Sequence, residues 1–151
     1  MSAPALLMTM LATWPMLSAL IESVPLPGSP GVMPAALIEM TSVERRICIQ
    51  ETGTSEESIE RFNAQPDVFA DDDEKLKCYM DCMFRRLNVT KPDGELDMIE
   101  LYHLIPKALK TPVLKMYNRC RDVVDGSTPC ERAYSHHKCW KQAEPGSYYL
   151  F

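Results

Sequence analysis

The sequence predicts an all-α fold: a compact six-helix domain tied by disulfides around an apolar cavity. Apolar residues recur at helical spacing in several segments, and capping residues and prolines mark where helices begin. The chain has 151 residues with six cysteines, an even number that is typical of a disulfide framework in a small secreted protein. Cys78 and Cys82 lie one turn apart on one helical face, so each should bridge to a different neighbouring segment. A helical domain whose helix is fixed on both sides cannot easily collapse its interior. This property suits a protein that holds another molecule inside.

Residues 1–23 predict a secretory signal peptide. The apolar run 3–21 is followed by small and polar residues, although no basic residue precedes Arg45. A membrane anchor is the alternative, but Pro15 interrupts a run that is already short for a bilayer span. No later segment is long and apolar enough for stable membrane insertion. Residues 24–33 predict an extended Pro/Gly-rich segment, and the folded domain is expected over 34–151.

The first three helices are predicted from the residues at their ends. Helix one begins at Pro34, carries apolar residues at helical spacing and ends at Gly53. A capping-box pattern over 54–57 starts helix two. The acidic run 71–74 opens helix three and the basic pair 85–86 closes it, which complements the helix dipole at both ends.

Helices four to six follow from similar signals. Helix four has a broad apolar flank and stops before Pro106. Thr111, followed by a proline, predicts the N-cap of helix five, which runs on to a terminator at Gly126. Thr128, again followed by a proline, and Glu131 form a capping-box pattern for helix six. The segment after this helix is aromatic and apolar, an unusual composition for a terminus left in water.

Charge and motifs exclude several classes of function. The formal net charge of −5 gives no general attraction to nucleic acid or anionic membranes. The sequence has no nucleophile elbow, zinc motif or nucleotide-binding loop, and it lacks the calcium loop that a secreted phospholipase would need. His136 and His137 stand beside Cys139, but adjacent histidines on a helix face apart and the cysteine is expected in a disulfide. We therefore expect no enzyme, no cofactor and no metal.

A modification signal stands in the loop after helix three. Asn88-Val89-Thr90 is a sequon for N-glycosylation. In a secreted protein Asn88 is therefore a candidate glycosylation site, although many sequons stay empty.

The cysteine spacing resembles one family closely. Successive cysteines are separated by 29, 3, 37, 9 and 8 residues, and the strings EKLKCYMDCMF and CERAYSHHKCWKQAEPGSYYLF contain four of them. The sequence resembles the insect odorant-binding proteins, the pheromone- and general-odorant-binding family, and is similar to the fly and mosquito members related to pheromone-binding proteins. The resemblance runs from about Pro34 to Phe151. It implies an interlocked set of three disulfides: Cys48–Cys82, Cys78–Cys130 and Cys120–Cys139.

The resemblance also implies a function. Such proteins are extracellular carriers in sensillar lymph, which bind small hydrophobic volatile odorants or pheromones in an internal cavity and carry them to chemosensory receptors. An odorant receptor and a second copy of the chain are thus candidate partners. A secreted carrier of other lipids or hormones outside olfactory tissue is the alternative, since it would use the same physics. A third possibility is a protein-binding module with the aromatic tail as its interface.

Matching the cysteine-anchored segments to the family implies the residues that line the cavity. They are Met83, Phe84, Leu87, Met98, Leu101, Ile105, Leu109, Val113, Leu114, Met116, His137, Trp140, Tyr148 and Tyr149. For each aliphatic residue, plain core packing is the alternative. For His137 the alternative is a solvated side chain.

The tail carries an expectation about mechanism. The resemblance implies that residues 144–151 fold over the cavity, and we call this segment the lid. The resemblance implies that Arg46 and Tyr79 hold the carboxylate of Phe151 as a latch. A salt bridge lowers the pKa of a carboxylate, so the latch would weaken as the pH falls and release ligand. The alternative is that Arg46 only serves as a cation near the C-terminus of helix one.

Overall fold

A computed structural model describes residues 35–123 and 125–151. Over these residues the chain forms six α-helices and one 3-10 turn, so the all-α prediction is confirmed. The helices are α1 Ala35–Thr52, α2 Glu56–Ala64, α3 Glu74–Arg86, α4 Met98–Leu104, α5 Lys110–Cys120 and α6 Pro129–Ala143, with the 3-10 turn Lys107–Leu109 before α5. The described ranges contain no β-strand, only one isolated bridge between Thr90 and Leu96. None of their helices is long and apolar enough to cross a bilayer.

The predicted signal peptide over 1–23, the segment 24–33 and Pro34 lie outside the described residues. These expectations therefore remain predictions.

Two of the predicted helix starts are confirmed in detail. The side chain of Asp73 accepts a hydrogen bond from the Leu76 N–H at 3.0 Å and caps α3. The hydroxyl of Thr128 accepts from the Glu131 N–H at 3.2 Å, while the Glu131 carboxylate accepts from the Thr128 N–H at 3.0 Å. This reciprocal pair is the capping box that the sequence predicted for α6. The Glu131 carboxylate accepts hydrogen bonds from the Ser127 hydroxyl and from the N–H groups of Thr128 and Ser127, and these bonds lower its pKa to about 2.

The start of α2 differs from the prediction by one residue. Ser55, not Thr54, is the N-cap, and its hydroxyl accepts a hydrogen bond from the Ser58 N–H at 3.1 Å. Thr54 is only 7% exposed, because the turn at Gly53 points it toward the core. The next residue therefore meets the free N–H groups of the helix.

Helix α5 also differs from the prediction. It begins at Lys110 rather than after Thr111, because the 3-10 turn leads directly into it and satisfies the first backbone groups. The helix ends at Cys120, well before Gly126. This glycine has φ 121°, and an added Cβ would lie 2.5 Å from the Cβ of Glu131. Gly126 therefore permits the close approach of the loop to α6 rather than ending α5.

Helix α3 forms the centre of the domain. Tyr79, Met80, Cys82 and Met83 have no exposed surface, and the helix packs against both α1 and α6. The three disulfides join Cys48 to Cys82, Cys78 to Cys130 and Cys120 to Cys139. They therefore tie α1 to α3, α3 to α6 and α5 to α6, which is the pairing that the resemblance implied.

Helix α3 ends in a Schellman motif. Asn88 adopts a left-handed conformation with φ 57°, and its N–H donates to the Arg85 carbonyl at 3.1 Å. The Val89 N–H donates to the Phe84 carbonyl at 3.0 Å, which completes the motif. The chain then turns away from α3 toward α4, and this turn leaves Phe84 facing the space between the helices.

Candidate functional site

A cavity of about 280 Å³ lies between five of the helices and the C-terminal segment. Its wall is mostly apolar, and no acidic, lysine or arginine side chain lines it. The lining residues are Leu37, Phe84, Met98, Leu101, Ile105, Ala108, Leu109, Pro112, Val113, Met116, His137, Trp140, Gly146, Ser147, Tyr148, Tyr149 and Phe151. An uncharged concave site with few polar groups is typical of a pocket for a small organic molecule.

Most of the residues predicted to line the cavity lie on its wall. They are Phe84, Met98, Leu101, Ile105, Leu109, Val113, Met116, His137, Trp140, Tyr148 and Tyr149. They come from α3 to α6, the 3-10 turn and the tail, so residues far apart in sequence meet here.

Three predicted residues lie elsewhere. Met83 is fully buried, but it belongs to the core rather than to the cavity wall. Leu87 is half-buried and packs against that core. Leu114 is 46% exposed, one position beyond Val113, which does line the cavity. Successive helical residues differ by about 100° in direction, so a neighbour of a lining residue faces another side of the helix.

Sequence reasoning missed other parts of the wall. Leu37 lies on α1 and lines the cavity. The helical spacing of the apolar residues in α1 predicted that Leu37 is buried, but not that it faces the cavity. Ala108 and Pro112 line the cavity at the junction of the 3-10 turn with α5, whose geometry the sequence did not predict. Gly146 and Ser147 belong to the lid, and no signal distinguished them from an ordinary turn.

Aromatic rings surround the only histidine in the cavity wall. The His137 ring stacks on Phe84 at a centroid distance of 4.8 Å, and Trp140 approaches it edge-on at 5.2 Å. Its Nδ1 lies 2.7 Å from the hydroxyl of Tyr148. The residue is 2% exposed, and burial, with a smaller contribution from neighbouring His136, lowers its pKa to about 3. His137 is therefore neutral at physiological pH and adds no charge to the cavity.

The C-terminal segment closes one side of the cavity. Tyr148, Leu150 and Phe151 are buried, which explains the apolar composition of the tail. The side-chain amide of Asn63 donates to the Leu150 carbonyl and accepts from the Leu150 N–H, both at 2.7 Å. The ring of Phe62 meets Tyr148 edge-to-face at 6.1 Å. Helix α2 thus supports the lid from behind through one polar pair and one aromatic contact.

The structure brings two of the three predicted latch residues together. The Tyr79 hydroxyl donates a hydrogen bond to the main-chain oxygen of Phe151. Arg46, in contrast, is exposed. The adjacent Arg45 faces this region instead: its charge opposes the effect of burial, which raises the pKa of Tyr79. Position 45 lies about 100° around α1 from position 46, so Arg45, and not the predicted Arg46, is the arginine that lies beside Tyr79.

Only part of the Arg45 guanidinium has hydrogen-bond partners in this position. It forms an ion pair with Glu56, while its Nη1 is buried without a hydrogen-bond partner. A buried guanidinium nitrogen without a partner is costly, so this atom favours an additional acceptor nearby.

Other sequence features lie apart from the cavity. Asn88 is exposed at the end of α3, and its glycosylation remains a prediction. Within residues 35–123 and 125–151, no three histidine, cysteine or acidic side chains are grouped as a metal site would require.

A model of the PBP/GOBP family matches residues 34–143. The match covers most of the chain, and it includes all six cysteines. The chain belongs to the PBP/GOBP family. Members of this family are odorant-binding carrier proteins, so family and fold together support a role as a carrier of a small hydrophobic ligand.

Individual relatives agree with this assignment. Odorant-binding protein 10 of Aedes aegypti is 26% identical over 96 residues, which are 63% of this chain and 66% of the relative's own length. The crystal structure of odorant-binding protein 4 of Chrysopa pallens has a TM-score of 0.65 and 30% identity, covering 80% of this chain and all of that one. Odorant-binding protein 7 of Anopheles gambiae, solved with four disulfide bridges and an azo compound, has a TM-score of 0.61 and 27% identity, covering 74% and 89%.

The first prediction concerns the pairing of Asn63 with the tail. Asn63→Ala removes two hydrogen bonds and should destabilise the closed lid of this PBP/GOBP protein by about 1–3 kcal/mol. Hydrogen exchange should then become faster at the Leu150 amide than in the unmodified protein, while the core amides of α3 keep their protection. Asn118→Ala, at an exposed position of α5, is the matched control. Equal exchange at Leu150 in both variants would show that Asn63 does not hold the lid.

The second prediction concerns acid stability. Burial lowers the pKa of His137 to about 3 in the folded protein, whereas in the unfolded chain this histidine has its ordinary pKa of 6.5. Below pH 6.5 the unfolded chain therefore binds a proton that the folded protein does not bind. Stability from this residue is complete above pH 6.5 and is lost as the pH falls toward 3. The loss is about 2 kcal/mol at pH 5, from 1.36 kcal/mol for each pH unit. His137→Gln should flatten this dependence in urea unfolding, whereas His103→Gln, at an exposed position, should not. Parallel pH curves for the wild type and His137→Gln would contradict the account.

Proposed function

We propose that this chain is a secreted carrier that takes up small hydrophobic odorants or pheromones and delivers them to chemosensory receptors. The observation that carries the proposal is the cavity of about 280 Å³ that has no charged side chain in its wall and is completed by the chain's own lid. Such a cavity can remove most of the surface of a small apolar molecule from water, and movement of the lid can return it. Both properties are what transport through an aqueous fluid requires.

The energetics favour moderate affinity and broad selectivity. A ligand that buries ~200 Å² of apolar surface gains roughly 5 kcal/mol by transfer from water, before its losses of motional freedom. A difference of one methylene group changes binding only modestly in a pocket of this kind. Met98 and Met116 are flexible and polarizable, so the wall can adapt to related shapes.

A related structure supports the proposed ligand class. Odorant-binding protein 7 of Anopheles gambiae, with which this chain shares its fold and 27% identity, was solved in complex with an azo compound. Small organic molecules are therefore accommodated by a homologous fold, and the same is proposed for this chain.

Release on acidification is part of the proposal. Tyr79 donates to the main-chain oxygen of Phe151, and the unpartnered Nη1 of Arg45 is the nearby cation that would hold the terminal carboxylate. Such an ion pair would lower the pKa of the carboxylate, so the pair would hold at neutral pH and be lost as the pH falls through the lowered value. Protonation then frees the lid and opens the cavity.

Displacement of the fluorescent apolar probe N-phenylnaphthylamine from the oxidised mature protein, at pH 7 and pH 3, tests the proposal, because an α-carboxyl group has an ordinary pKa of about 3.3–3.7 and an ion pair lowers it. We expect saturable binding that medium-chain volatiles displace at pH 7, and weaker binding at pH 3. Arg45→Ala should reduce the difference between the two pH values, whereas the neighbouring exposed Arg46→Ala should preserve it. Absence of saturable binding would contradict the carrier proposal, and equal binding at both pH values would contradict acid release alone.

A further inference from the structure

One residue that lines the cavity has a buried polar atom without a partner. His137 is 2% exposed, its side chain lines the cavity, and its Nε2 forms no hydrogen bond. A buried polar atom left unpaired costs free energy comparable to a lost hydrogen bond. In a wall without charged side chains, a ligand's polar group that reached this atom would be favoured.

The neighbours of His137 hold its ring in one orientation. Phe84 stacks almost parallel to the imidazole, with an interplanar angle of 13°, and Trp140 packs across it at 71°. The Nδ1 atom is held at 2.7 Å by the hydroxyl of Tyr148. Nε2 therefore occupies a fixed position, which lets it discriminate between ligands rather than adapt to them.

The hydrogen bond to Tyr148 also indicates which proton Nε2 carries. If the Tyr148 hydroxyl donates to Nδ1, the neutral ring has its proton on Nε2 and only this one donor is unpaired. If Nδ1 donates instead, the buried Tyr148 hydroxyl proton has no acceptor among the described residues, and Nε2 is an unpaired acceptor as well. The first arrangement leaves fewer unpaired groups, so Nε2–H is a donor.

The other residues of the wall further restrict the class of ligand that fits the cavity. No lysine or arginine side chain lines the cavity, so an ionised carboxylate would lose its hydration without gaining a counter-charge. A pure hydrocarbon would fill the space but would leave the Nε2–H donor unpaired. A neutral molecule with an apolar body and one oxygen acceptor satisfies both conditions.

We propose that the cavity selects neutral oxygenated ligands, such as ketones, aldehydes and esters, whose oxygen accepts a hydrogen bond from His137 Nε2. This inference rests on the proposed carrier function and adds the chemical class of its ligand. His137 is then a specificity-determining residue, while the aliphatic wall supplies most of the affinity.

The test compares three competitors for bound N-phenylnaphthylamine at pH 7. They are a medium-chain methyl ketone, the alkene in which a methylene group replaces its carbonyl oxygen, and the fatty acid of the same chain length. We expect the ketone to displace the probe at about tenfold lower concentration than the alkene, and the ionised acid to displace it least. His137→Phe should reduce the ratio between ketone and alkene to about one, each measured against that variant's own affinity for the probe. Leu114→Met, at an exposed position of α5 outside the cavity wall, is the control and should keep the ratio.

A second measurement does not depend on a variant that must fold. In the wild-type protein with isotope-labelled histidine, the Nε2–H proton resonance of His137 should move downfield when the ketone binds and stay in place when the alkene binds. Probe binding with equal displacement by ketone and alkene, or an unchanged ratio in His137→Phe, would overturn the inference and leave the carrier proposal intact. No probe binding at all would instead remove the carrier proposal on which the inference rests.

Discussion

The attachment of α3 on both sides is the constraint on which the rest of the structure depends. Cys82 joins it to α1 and Cys78 joins it to α6, which Cys139 in turn joins to α5. Each bridge contributes on the order of 2–4 kcal/mol, largely by restricting the unfolded chain. Helices fixed in this way cannot shift inward to fill the space between them. The domain can therefore keep a cavity of about 280 Å³ that hydrophobic packing alone would tend to close.

The lid depends on a second arrangement, centred on α2. Lys141 of α6 is buried, and its ammonium donates to the carbonyl oxygens of Phe62 and Val68 while lying 3.9 Å from the centre of the Phe62 ring. Burial lowers the pKa of this lysine to about 8, yet its hydrogen bonds fix the end of α2 against α6. Asn63 and Phe62 are then in place to hold the tail. A short helix outside the disulfide network thus decides where the chain end lies.

Helix number and order could be predicted, because caps, prolines and apolar spacing are local signals. The disulfide pairing and most of the cavity wall came from the resemblance to a known family. The direction in which individual side chains point could not be predicted. Spacing predicts that Met83 is buried, but not that it faces the core rather than the cavity. The choice between Arg45 and Arg46 depends on 100° of helix rotation, which adjacent like residues do not reveal. The polar pair between Asn63 and Leu150 joins residues far apart in the chain, and no sequence pattern marks it.

The central claim is that ligand occupies the interior, beneath the lid, and methyl NMR of the protein with labelled methionines tests it most directly. Met98 and Met116 line the cavity, Met83 is buried in the core outside it, and Met40 is 38% exposed on α1. On titration with a medium-chain ketone, the account predicts saturable shifts and ligand-to-methyl contacts at Met98 and Met116, with Met83 and Met40 little changed. Shifts confined to Met40, or none that saturate, would place the ligand on the surface and contradict it.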